Sequence, residues 1–260
     1  METLTVWDYG LLFAAGLLAG GINTVAGNGS VITLSSMRFM GMPIPLANGT
    51  NRVGVLIQST VALVSYWREA SIRWHGRDWL LAWAILGGLG GTYVAVVLDP
   101  VSFEYSIGVL MIGMLILILA NPKAWLSRQA NEQAPIQHPI LLSIIYIAIG
   151  FYSGYVQAGV GIILLVALVA GAGYSLTKAN ALKLLVVVAV NLPALFIFWY
   201  NDQVRWIPGL VLALGQSLSA RLVVRFAVHH PRANFWIRNL LILIVLVAIV
   251  RFLRLYEWLL

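Results

Sequence analysis

The sequence predicts an all-α integral membrane protein made of two inverted-topology repeats. Each repeat is a short broken or re-entrant helix pair followed by three transmembrane helices. Three observations carry this. The chain is 61% hydrophobic and 10% charged, with a mean hydropathy of +0.91. A soluble domain is nearer half apolar and a quarter charged, and several runs here approach the ~20 apolar residues that span a bilayer. Second, the chain repeats itself. An offset of 132 residues carries Ala26-Gly27-Asn28-Gly29 onto Ala158-Gly159-Val160-Gly161, Gly41 onto Gly173, Ala47-Asn48 onto Ala179-Asn180, Trp67 onto Trp199 and Arg73-Trp74 onto Arg205-Trp206. With Val55/Val187, Ala62/Ala194 and Leu63/Leu195 this makes twelve identities over 26–74 without a gap. Third, the sign of the loop charge reverses between the halves.

The elements follow in order. Residues 8–24 and 29–41 form apolar segments on either side of the first glycine turn, reaching roughly 25 and 20 Å at 1.5 Å per residue. Both fall short of a comfortable span, so they read as a broken or re-entrant pair. Pro43 and Pro45 break the chain. Segments at 47–67, 79–98 and 103–120 complete the first repeat, 1–120. The most polar stretch, 121–138, reads as a cytoplasmic linker. The second repeat, 139–260, has segments at 139–157, 161–174, 178–199 (with Pro193 inside, expected to kink it unless neighbouring groups satisfy the freed carbonyl), 207–227 and 236–255. Trp67, Trp74, Trp79, Trp199, Trp206, Trp236 and Trp258 fall near segment ends, where amphipathic rings favour the membrane interface. The first apolar segment runs on into the glycine turn, and no basic region precedes it, so no cleavable signal peptide is expected.

Loop charge sets the orientation. The loop after 47–67 is basic (Arg68, Arg73, Arg77), and the next turn is acidic (Asp99, Glu104). In the second half the loop at 201–205 carries Asp202, and the loop at 228–235 carries His229, His230 and Arg232. With both termini outside and the linker inside, five of the 16 Lys and Arg lie outside (Arg38, Arg52, Arg205, Arg251, Arg254) and the other eleven inside. This is the bias expected of cytoplasmic loops, and it accounts for the net charge of +7 without nucleic acid.

The segment Gly21-Ile22-Asn23-Thr24-Val25-Ala26-Gly27-Asn28-Gly29, then Ala47-Asn48-Gly49-Thr50-Asn51, then Tyr66-Trp67-Arg68, resembles the TauE/SafE sulfite-exporter family, also called the toluenesulfonate uptake permease family. Degenerate copies lie at 157–161 and 178–183. The resemblance spans essentially the whole chain. It implies a multi-pass permease of the cell (inner or plasma) membrane for small sulfur-containing or organic anions such as sulfite, sulfonates and sulfoacetate-like compounds. Asn28 departs from the more glycine-rich form expected at its position.

The residues themselves support an anion. If Gly29 and Gly161 open helices, free N–H groups point toward the membrane middle, where a helix N-terminus carries roughly +0.5 charge. Inverted repeats bring two such ends together. The competing reading is that the glycines permit tight helix packing. At the start of each third helix stand Asn48, Thr50 and Asn51, matched to Asn180 and Lys183. The asparagines also read as ordinary caps. Lys183, followed by the apolar run 184–190, is an intramembrane cation and so a candidate site residue, with snorkelling as its alternative. Arg52 faces the same choice. Asn23, Ser30, Gln157 and Asn191 are further donors. The expected substrate-binding set is therefore Asn23, Gly27, Asn28, Gly29, Ser30, Asn48, Thr50, Asn51, Gln157, Gly159, Gly161, Asn180 and Lys183.

Exclusions matter as much. The chain has no cysteine, which rules out disulfides and thiolate chemistry. Its nine acidic residues and four histidines all read as lying in loops or at segment ends. No proton relay, catalytic group, metal site or cofactor is expected, and the chain does not read as an enzyme. The expected partners are a small anion and the lipid bilayer. The pairs Gly87-Gly88 and Gly90-Gly91 suit tight packing within the chain or in a homo-oligomer. The alternatives to a permease are an anion channel and a non-transport membrane subunit.

Overall fold

The computed structural model describes residues 4–26, 29–70, 79–119, 138–174 and 176–227. The expected last segment (236–255), nearly all of the linker and the basic loop at 71–78 lie outside the described residues. The elements are α1 (Val6–Ala26), α2 (Ser30–Phe39), α3 (Ile44–Ala70), α4 (Trp79–Val97), α5 (Pro100–Leu119), α6 (Pro139–Tyr155), α7 (Val160–Val166) continuing into a π-helical turn (Ala167–Gly171), α8 (Leu176–Tyr200) and α9 (Trp206–Ala227). All regular structure among the described residues is helical. α4 and the stretch Lys178–Tyr200 are long and apolar enough to cross a membrane.

The helix lengths correct part of the expectation. α1 has 21 residues rather than the 17 expected. At about 31 Å it matches the hydrocarbon thickness, so it is not a short segment. The short members are α2, with 10 residues, and α7 with its π turn, with 7 and 5. Each would reach only about half-way or slightly more across. α3 starts at Ile44, with Pro45 in its first turn, where a missing N–H costs nothing. α8 runs unbroken through Pro193.

The chain ends these helices by local chemistry. Gly41 and Gly173, related by the 132-residue offset, both take left-handed backbone angles, φ +80° and +71°. In each half that glycine reverses the chain after the short helix, and an L side chain there would be strained. The Met42 N–H then donates to the Met37 carbonyl at 3.0 Å, and the Tyr174 N–H to the Leu168 carbonyl at 3.1 Å. The extra residue spanned in the second half belongs to the π turn. Asp99 caps α5, accepting from the N–H groups of Val101 (3.1 Å) and Ser102 (2.9 Å), with Pro100 in the first turn.

Two pairings hold the bundle. α4 lies along α6, and α1 lies along α9; α3 crosses α8 and also packs on α9. The offset carries α1 onto α6 and α4 onto α9, so it exchanges the two closest pairs. α4 and α6 meet through glycines, backbone on backbone. A Cβ on Gly87 or Gly91 would strike the carbonyl of Ile147 or Phe151, and one on Gly150 or Gly154 would strike that of Ala84 or Gly88. Such small-residue seams are how helices associate where lipid supplies no hydrophobic drive. The tip of α2 is tied to α5 by a bidentate ion pair, Arg38 Nε to Glu104 Oε1 at 2.6 Å and Nη2 to Oε2 at 3.1 Å. Glu104, expected at a segment end, is thus buried five residues into α5.

Polarity runs inside out. Val101, Tyr105, Val109, Ile112 and Ile116 line the exposed face of α5, and Ile207, Leu210, Leu214, Leu218 and Leu222 that of α9. Meanwhile Asn48, Thr50, Asn51, Arg52, Gln58 and Ser59 on α3 are fully buried. Exposed apolar stripes around a polar interior suit a chain whose solvent is lipid.

Candidate functional site

The site is built where α6 stops inside the protein. The N–H groups of Val156 and Gln157 both turn back to the Tyr152 carbonyl, at 3.0 and 3.4 Å. Gln157 then takes φ +68° and Gly159 φ +75°. The Tyr152 hydroxyl donates to the Ala158 carbonyl and pins the turn. α7 follows from Val160, so Gly159, not Gly161, stands at its opening; Gly161 lies buried in its first turn. In the first half Gly29 precedes α2 with an ordinary right-handed φ of −59°. Glycine is required there for closeness rather than for angle, because a Cβ would collide with the Ala19 carbonyl. Gly27 and Asn28 lie outside the described residues. Tyr155, Val156 and Ala158 of the second turn share one buried cluster with Ile22 and Val31, which flank the first.

A helix that ends in the interior leaves carbonyls without partners. Here α3 supplies the partners from the other half. Asn48 Nδ2 donates to the Tyr155 carbonyl at 2.8 Å, and Arg52 donates to the carbonyls of Ser153 (3.1 Å, from Nη1) and Gly154 (from Nη2). Arg52 Nη1 also reaches Asn191 Oδ1 at 3.1 Å and Gln157 Oε1 at 3.4 Å. Asn191 Nδ2 donates in turn to Gln157 Oε1 at 2.7 Å. The guanidinium sits 4.9 Å from the Phe198 ring centroid, a cation–π contact.

Arg52 is completely buried and has no carboxylate within ion-pair distance among the described residues. A buried ion costs several kcal/mol unless compensated. The end of α6 supplies roughly half a negative charge, so the compensation is partial. Nε of Arg52 has no partner among the described residues. The Nε–Nη2 edge is the one with which Arg38 grips Glu104. It is the edge of a guanidinium that takes two oxygens at once.

The other expected residues divide into smaller groups. Asn51 Oδ1 accepts from the Thr33 hydroxyl on α2 at 2.5 Å, and Nδ2 of Asn51 has no partner among the described residues. Asn23 donates to Gln58 Oε1 at 3.0 Å. Ser30 is buried, and its carbonyl accepts from Thr33. Thr50 faces elsewhere: its hydroxyl oxygen accepts from the Arg205 N–H at 2.9 Å and fixes the turn before α9. Lys183 is 3% exposed, and its Nζ donates back to Asn180 Oδ1 at 3.1 Å. The structure therefore brings Asn48 and Gln157 together but leaves Lys183 outside their network.

Arg52 is the residue that sequence reasoning passed over. The offset pairs it with Leu184, so the duplication gives it no weight, and an assumed helix start at 47 put it close to an interface. The true start at Ile44 sets it nine residues deep.

Residues 12–252 match the family described as Sulfite exporter TauE/SafE. The chain is similar to a "probable membrane transporter protein" of Haemophilus influenzae, with 27% identity over 212 residues that cover 82% of each chain. It is similar to "probable membrane transporter protein ORF9" of Sinorhizobium, with 27% identity over 87% of this chain and 86% of the other. It is also similar to "probable membrane transporter protein YfcA" of Escherichia coli K12, with 26% identity over 82% and 78%. No solved structure matches.

Proposed function

The chain belongs to the Sulfite exporter TauE/SafE family of cell-membrane proteins, and on that premise we propose that it is a permease for small sulfur-containing or organic anions. The observation that carries this reading is the charge of the interior. Among the described residues Arg52 and Lys183 are buried cations with no carboxylate in ion-pair distance, while the one buried carboxylate, Glu104, is held by Arg38. An interior of this sign favours an anion over a cation. Membership of a transporter family also agrees with the reading that the chain is not an enzyme.

The halves act as two inverted repeats, a reading supported by the exchange of the α1–α9 and α4–α6 pairs under the offset. The substrate sits beside the two turns that follow α1 and α6, met by Arg52, Asn48, Asn51 and Gln157 and by N–H groups at the starts of the short helices. Rocking of one half against the other alternates access. A membrane potential that is negative inside drives an anion outward by about 2.3 kcal/mol per charge per 100 mV, which favours export.

Anion-dependent stabilisation of the purified protein tests the reading. Sulfite, sulfoacetate, thiosulfate and a dicarboxylate are each titrated against thermal unfolding in detergent. A site ligand at a hundred times its Kd adds about 2.7 kcal/mol. A saturable shift with one sulfur anion, lost in Arg52→Gln, is expected. Equal responses to every salt would count against a specific site.

A further inference from the structure

Lys183 and Arg52 do not share a pocket; they occupy two levels of one helix face. On α8, Asn180, Lys183, Val187 and Asn191 fall within about 80° of one another at 100° per residue. Lys183 and Asn191 are eight residues apart, about 12 Å along the axis. Arg52 is bonded at the level of Asn191. The ammonium of Lys183 leans back toward Asn180, and the Asn191 amide leans the same way, onto the Val187 carbonyl, so the two levels keep about the backbone spacing. Between them the face is apolar. Val187 is 6% exposed and belongs to the same buried cluster as Val55 of α3. The 132-residue offset carries Val55 onto Val187, so both repeats contribute the same residue type to this buried cluster.

We propose that an anion passes between two separate cationic stations along α8, one at Lys183–Asn180 near the start of the helix and a deeper one at Arg52–Asn191, with Val55 and Val187 as the barrier between them. The proposal rests on the permease reading and adds a route to it. Lys183 then governs loading from the side on which α8 begins, whereas Arg52, with its unpartnered Nε, holds the anion. Passage requires α3 and α8 to part at the valines, which is the motion a rocking of the halves would supply.

The chain has no cysteine, so single cysteines report the route without background. Val187→Cys and Ala194→Cys, the latter beyond Asn191 on the same face, are labelled in liposomes with a membrane-impermeant sulfonated methanethiosulfonate. A neutral, membrane-permeant methanethiosulfonate serves as reference. Val187→Cys is expected to react from the side of the start of α8, and Ala194→Cys from the opposite side. Lys183→Gln is expected to slow the sulfonated reagent at Val187→Cys about tenfold while leaving the neutral one unchanged. Failure of Val187→Cys to react from either side, reaction of both cysteines from the same side, or indifference to Lys183→Gln would each overturn the proposal. The expected labelling without anion flux would support the route and count against the permease reading alone.

Discussion

Arg52 of α3 and Asn191 of α8 meet at 3.1 Å across 139 positions of sequence. The contact joins the two halves of the chain at the level where α6 ends. Arg52 caps that end, yet it brings a full positive charge to a task that neutral donors such as Asn48 also perform. The capping role explains why the guanidinium is held; the excess charge is what an anion would use.

Replacing Arg52 separates these roles. Arg52→Lys keeps the charge but loses the planar fork, and Arg52→Gln loses both. Each acceptor left unpaired costs about 1–3 kcal/mol, so both variants should unfold at lower temperature in detergent. Transport is expected to fall at least tenfold in Arg52→Gln and less in Arg52→Lys. Equal activity in the two variants would leave Arg52 a cap and nothing more.

The glycine seam gives a stability test independent of transport. Gly91→Ala and Gly154→Ala place a methyl group on a backbone carbonyl of the facing helix. Over-packing of this kind typically costs about 1–3 kcal/mol. A Cβ on Gly113 or Gly10 meets nothing from the rest of the described residues within 4 Å, so Gly113→Ala and Gly10→Ala should be neutral or slightly stabilising. Thermal unfolding of the four variants side by side checks the difference.

At Gly41, too, an added Cβ has nothing within 4 Å among the described residues, but φ is +80°. Gly41→Ala should therefore destabilise through backbone strain alone, by roughly 1–2 kcal/mol. Gly41→Asn should cost less, because asparagine tolerates the left-handed region. A cost as small as that of Gly113→Ala would contradict the assigned turn.

The cap of α5 predicts a pH effect. The Ser102 hydroxyl and the backbone N–H groups of Ser102 and Val101 hold the Asp99 carboxyl below its ordinary value of 3.8. Its folded value is depressed, so its contribution is fully present above that ordinary value and is lost as pH falls through the folded one. Amide exchange at Val101 and Ser102, each corrected for its intrinsic rate, should lose protection below about pH 4 in the wild type. In Asp99→Asn protection should stay flat with pH.

Much of the frame was legible from the sequence. The breaks after α1 and α6, the proline- and aspartate-marked helix starts and the matched glycines Gly41 and Gly173 all sit where local chemistry demands them. Helix lengths were less so. α1 starts two residues before its expected start because Thr5 and Asp8 cap it: the Thr5 N–H donates to Asp8 Oδ2 at 2.7 Å and the Asp8 N–H to the Thr5 hydroxyl oxygen at 3.3 Å. The site was only half legible. Asn48 and Gln157 stand out because the turn needs them, but Arg52 acts on a turn in the other repeat, and no local pattern announces a partner about a hundred residues away. Thr50 reads as a site donor in the sequence; in the structure its hydroxyl oxygen accepts from the Arg205 N–H, a contact that depends on where α9 begins and that no local pattern announces.

Flux in proteoliposomes under imposed potentials tests the central claim most directly. The wild type, Lys183→Ala and Arg52→Gln are loaded with sulfite, and efflux is followed by ion chromatography with the interior negative and then positive. The account predicts saturable efflux in the wild type, faster with the interior negative, and strongly reduced in both variants. Efflux that ignores the sign of the potential, or that survives both substitutions, would contradict a permease whose buried cations carry the anion.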